Sequence, residues 1–122
     1  MVRFLLVCGA GAAGCGLRYL VGLFVVSQKF PYATLIVNVL GSFLIALVME
    51  SSLRVAWFPP NLRLALTTGF MGGLTTYSSF NYETTSLASQ GAWTRAAINV
   101  GTTLITCVLA GLAGLWVARR LT

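Results

Sequence analysis

The sequence has no histidine, and its only acidic residues are Glu50 and Glu83. Histidine is the commonest metal ligand and the usual general base near neutral pH, so its absence removes both roles. Without histidine, and with two carboxylates far apart in the chain, Ser-His, Cys-His and zinc catalysis are excluded, and so is an intramembrane enzyme that needs paired carboxylates. Cysteine is scarce and odd in number: Cys8, Cys15 and Cys107 all fall within apolar runs. They read as small packing residues rather than a disulfide framework or a metal site. Charge of either sign is scarce too, at 8% of residues, whereas a soluble globular chain carries about 25%. Too few charges remain to cover a water-facing surface.

Apolar residues are plentiful instead, at 57% of 122 residues, with a mean hydropathy of +0.87. Hydrocarbon ~30 Å thick and a rise of ~1.5 Å per residue call for about 20 apolar residues per spanning helix. Four such helices, over about 4–26, 32–53, 61–87 and 94–117, use the chain from end to end as one transmembrane domain, 1–122. The expected fold is therefore an all-α membrane protein with short loops and lipid as its solvent. A net charge of +6 would suit nucleic acid, but the basic residues sit singly at helix ends, where groove binders gather them on one face. No nucleic-acid partner is expected. Arg3, Arg54, Arg63, Arg119 and Arg120 lie on the side of the termini, against Lys29 and Arg95 on the other. This bias places both termini in the cytoplasm of a prokaryotic inner membrane.

The third span is unlike the others. From Thr75 to Thr85 nearly every residue is hydroxylic, amide, acidic or aromatic, and Gly72-Gly73 stands just before this run. Each glycine lowers helix propensity by about 1 kcal/mol, so a break near mid-membrane is expected there. Backbone groups freed by a break must be buried in protein or line a water-filled cavity, and at such breaks channels and transporters coordinate ions. A tightly packed helix contact bonded through its hydroxyls is the plainer account of the same residues.

The stretch Gly72-Gly73-Leu74-Thr75-Thr76-Tyr77-Ser78-Ser79-Phe80, with Glu83 following, resembles the third-helix signature of Fluc-type fluoride channels, the CrcB family. Gly14-Cys15-Gly16-Leu17-Arg18-Tyr19 and the run from Thr34 to Gly41 resemble the family's first- and second-span motifs, so the likeness covers essentially the whole chain. The resemblance implies an antiparallel, dual-topology dimer with two fluoride pores and a structural sodium ion at its centre. It assigns Asn38, Tyr77 and Phe80 to the pore lining, Ser79 and Glu83 to its neighbourhood, and Arg18 to the vestibule. It implies that backbone carbonyls of Gly72 and Thr75 hold the sodium, and that Asn99, Thr103 and Cys107 form a polar track on the fourth span.

Such roles are physically reasonable. Fluoride is small and strongly hydrated, so a pore must replace its water with donors, and aromatic ring edges carry positive partial charge. Asn38 is expected to serve conduction without being needed for folding. Three features depart from the family pattern. Tyr77 replaces the usual phenylalanine, and Cys107 the usual hydroxyl. The charge bias is also larger than an evenly dual-topology homodimer calls for, which leaves room for an oppositely oriented homologue as partner. A small multidrug-type exporter is the competing function, but it needs an acid in the first span, where this chain carries only Arg18.

Overall fold

The computed structural model describes residues 1–122 and is helical throughout, apart from turns. Helix α1 spans Val2–Phe24 and α2 spans Tyr32–Arg54. Between them Pro31 forces the chain out of helical geometry before α2 begins. Pro59 is extended, at φ −66° and ψ 126°, and Pro60 occupies the first position of α3, Pro60–Leu64, where its missing N–H costs no hydrogen bond. The same run widens into a π-helix, π1, over Ala65–Met71, and tightens again as α4, Gly72–Leu74. Helix α5 covers Tyr77–Ser89 and α6 covers Trp93–Leu121. Gly91, at φ 76°, is the one residue with positive φ, and it turns the chain between α5 and α6.

Three helices, α1, α2 and α6, are long and apolar enough to cross a membrane as single pieces. The remaining run is divided among α3, π1, α4 and α5. Helix α6 extends past the expected 117 because its last turn is anchored. Arg119 Nε lies 2.9 Å from Glu50 Oε1, and the Arg120 guanidinium sits 5.2 Å from the centre of the Trp116 ring. Cations also suit a helix C-terminus.

Two seams hold the chain together. Helix α2 lies along α6, and α1 lies along π1 and α4. Both depend on missing side chains: a Cβ at Gly114 would overlap the Phe43 carbonyl, and one at Gly14 would overlap the Phe70 carbonyl. Gly73 meets the Gly11 backbone in the same way. Such backbone approach is how helices associate where lipid is as apolar as leucine. Leu74 is 0% exposed and Val37 1%. Much of the outside is apolar, with Leu104, Ile105, Leu109, Leu112 and Trp116 exposed along α6.

Candidate functional site

Helical geometry lapses for two residues after Leu74. Thr75 has φ −82° and ψ 156°, Thr76 has φ −152° and ψ 112°, and helix resumes at Tyr77. The local sequence explains both ends. Thr75 donates to the Met71 carbonyl with both its N–H and its hydroxyl, each at 2.9 Å, which closes the incoming turn. Thr76 caps the outgoing helix, its Oγ1 accepting from Ser79 N–H at 3.1 Å.

Asn38 of α2 bridges the gap. Its Oδ1 accepts from Thr76 N–H at 2.8 Å, and its Nδ2 donates to the Thr76 carbonyl at 3.1 Å. The amide therefore pairs with the Thr76 backbone much as a neighbouring strand would. Beyond the conduction role expected of it, Asn38 thus also contributes to the fold, because leaving these buried backbone groups unpaired costs about 1–3 kcal/mol. Gly41, one turn further along α2, makes room: a Cβ there would strike the Thr75 methyl.

The pairing also determines which carbonyls are free. In a continuous helix Thr76 N–H would bond to Gly72 O, and Ser79 N–H to Thr75 O. Here those donors go to Asn38 Oδ1 and Thr76 Oγ1 instead. The carbonyls of Gly72 and Thr75 thus lose their regular donors, and that of Leu74 has no helical partner either, whereas the Gly73 carbonyl accepts from Arg18 Nε at 3.0 Å. Carbonyl oxygens freed in this way suit a hard cation.

Beside the gap lies an open groove of about 780 Å³. Of the residues singled out in the sequence, Asn38, Gly72, Thr75, Tyr77, Phe80, Thr103 and Cys107 line it. The Tyr77 and Phe80 rings are 5.7 Å apart and inclined at 54°, and Tyr77 is 77% exposed. Asn38 uses one of its two amide hydrogens on Thr76, so a second remains for another acceptor.

The other singled-out residues lie elsewhere. Ser79 turns toward Thr76, its hydroxyl 3.1 Å from Thr76 Oγ1. Arg18 caps Gly73, and its Nη2 reaches Cys15 Sγ at 3.5 Å. Glu83 lines a separate pocket of about 330 Å³ with Lys29, Thr34 and Tyr82. There its Oε1 accepts from the Thr34 hydroxyl at 2.6 Å, while its Oε2 is buried without a partner. Asn99 is 1% exposed and donates to Thr84 Oγ1 at 2.9 Å, fastening α6 to α5 away from the groove.

The sequence reading missed Thr76, on which the gap is built, and the groove residues Ser42, Thr67 and Thr68. Thr76 carried a usable signal, a hydroxyl residue three positions before Ser79 at the start of a helix.

The family described as "CrcB-like protein, Camphor Resistance (CrcB)" matches residues 5–115. Among curated proteins, one from Geobacter metallireducens is 48% identical over 114 residues, covering 91% of this chain and 92% of that protein. One from Anaeromyxobacter sp. (strain K) is 48% identical over 124 aligned residues, covering 99% of this chain and 98% of that protein. One from Geobacter sp. (strain M21) is 50% identical over 114 residues, covering 91% and 92%. Each bears the name "Fluoride-specific ion channel FluC". With three helices of spanning length and a match across nearly its whole length, this multi-pass membrane protein belongs to the CrcB family.

Proposed function

We propose that the chain is a fluoride-selective channel, not an enzyme, which lets fluoride leave passively across the inner membrane. The observation that carries this reading is the groove itself. It gathers Asn38, which has an amide hydrogen to spare, and Thr103 with Tyr77 and Phe80, in a chain about 48% identical to named fluoride channels. Amide and hydroxyl hydrogens replace the donors of hydration water, and ring edges add a weakly positive, poorly hydrating wall. Chloride is larger and gives up water more readily, so a path built on close donors favours fluoride.

A single chain supplies one wall. The groove is open and Tyr77 is largely exposed, so the working unit is a dimer, which we take to be antiparallel with two pores. The gap at Thr75–Thr76 then lies near mid-membrane. Sodium is the cation that the Gly72 and Thr75 carbonyls would hold at the dimer centre, where it supplies a fixed positive charge. Glu83, Ser79 and Arg18 support the path from outside the groove, through Thr34, Thr76 and Gly73 respectively.

The test is efflux from liposomes containing this protein alone. Fluoride should leave far faster than chloride; equal dissipation of both gradients overturns the reading. Cysteine labelling from both sides of the native membrane tests the dimer. Each loop should be reachable from either face, and a single orientation would instead require an oppositely oriented homologue as partner.

A further inference from the structure

We propose that Arg3 and Arg63 form a phosphate-binding site at the terminal end of the groove, filled by the headgroup of an anionic lipid. The two arginines come from α1 and α3, far apart in sequence, yet both line one cavity of about 430 Å³. Met49, Leu64, Thr67 and Thr68 complete most of its wall, and no carboxylate lines it.

Neither arginine is neutralised. The chain forms two salt bridges, and both use Glu50, which is taken by Arg54 and Arg119. Arg3 spends its Nε on Asn61 Oδ1 at 3.1 Å, which leaves its two terminal nitrogens unbonded. The Arg63 side chain makes no hydrogen bond; only its backbone is used, the N–H donating to the Pro59 carbonyl at 3.0 Å and the carbonyl accepting from the Thr67 hydroxyl at 2.8 Å. Two uncompensated positive charges at one cavity repel each other unless an anion lies between them.

The chemistry of the lining indicates which anion. A guanidinium presents a planar fork of donors that matches phosphate oxygens two at a time. The cavity is also much too roomy for a bare halide. Position argues for a lipid source. Arg3 stands at the start of α1 and Arg63 shortly after Pro60, so both sit where helices leave the membrane. Phe4, Leu5 and Leu62 beside them are exposed and offer an apolar track for acyl chains. Basic pockets between helices on the cytoplasmic side are a recurrent way of holding anionic headgroups. Because Met49, Thr67 and Thr68 line both this cavity and the groove, a seated headgroup would border the groove's terminal mouth.

Native mass spectrometry of the full-length dimer tests the site, with phosphatidylglycerol, phosphatidylcholine or inorganic phosphate added to delipidated protein. Wild type should retain phosphatidylglycerol at least tenfold better than phosphatidylcholine. The Arg3→Gln/Arg63→Gln double variant should lose that preference, and Arg95→Gln at the opposite end should keep it. Arg63→Lys keeps the charge without the fork and should fall between. Inorganic phosphate retained in an arginine-dependent way, without lipid preference, would uphold the phosphate site and overturn the lipid as its occupant. Equal retention of phosphatidylglycerol by wild type and a correctly dimeric double variant, with no arginine-dependent phosphate binding, overturns the site.

Discussion

The stretch Gly72–Thr76 has two flanks secured by opposite means. Toward α1, Gly73 lies against the Gly11 backbone and Gly14 against the Phe70 carbonyl; apart from Arg18 Nε on the Gly73 carbonyl, this flank holds because side chains are missing. Toward α2, the Thr76 backbone is held by both ends of the Asn38 amide; Gly41 leaves room for Thr75 here, but this flank holds because one particular side chain is present. The first is a matter of volume and forbids any larger residue. The second is a matter of hydrogen-bond direction, and a side chain of the same size with the wrong donors breaks it.

The volume flank should give the largest effect. Gly14→Val would drive a branched side chain into the Phe70 carbonyl, and overpacking at backbone is expected to cost about 3 kcal/mol or more. Little monodisperse protein should survive extraction. If Gly14→Val yields normally, the contact is looser than drawn and the contrast between the flanks fails.

Asn38→Asp tests the second flank almost without changing volume. The carboxylate can still accept from Thr76 N–H but opposes the Thr76 carbonyl and any anion in the groove. Fluoride efflux should nearly vanish, with stability reduced by about 1–3 kcal/mol, read from thermal aggregation in detergent. Wild-type efflux from this variant would remove Asn38 from both the path and the pairing.

Tyr77 sharpens the comparison further out along the groove, where neither device operates. Phe80 has no phenol and its ring is paired with that of Tyr77, so the ring edge is expected to matter more than the hydroxyl. Tyr77→Phe should keep most of the efflux, and Tyr77→Ile should lose much of it. A large loss in Tyr77→Phe would transfer the role to the phenol.

The smallest effect belongs to Gly16, two residues beyond Gly14 on the same helix. A Cβ there meets nothing within 4 Å, so Gly16→Ala should leave efflux unchanged and stiffen α1 by up to about 1 kcal/mol in propensity. A clear loss of efflux would show that a partner covers this face.

The linear chain revealed most of the punctuation. Pro31, Pro60 and Gly91 stand at turns or helix starts, but helical geometry lapses at Thr75–Thr76 and not at Gly72-Gly73, which stay helical because Gly73 is used for close packing on Gly11. Long-range direction was not legible. Nothing near Asn38 indicates that its amide will meet residue 76. Ser79 lies between Tyr77 and Phe80 in sequence, yet it faces the cap rather than the groove, because successive helical residues are turned by about 100°. Asn99 and Thr103 are a turn apart on α6, but Thr84 draws the first toward α5 while the second lines the groove. Such choices depend on which neighbour arrives opposite, and periodicity within one helix does not contain that information.

The Asn38–Thr76 pairing also bears on how the chain is made. Exposed N–H and C=O groups cannot rest in hydrocarbon, so the extended residues would be costly to insert by themselves. Asn38 is synthesised before Thr76, on a helix long and apolar enough to enter the bilayer first. The partner is thus available when the interrupted segment follows. Swapping the two segments in a circularly rearranged gene would reverse that order and leave the gap waiting in lipid for its amide.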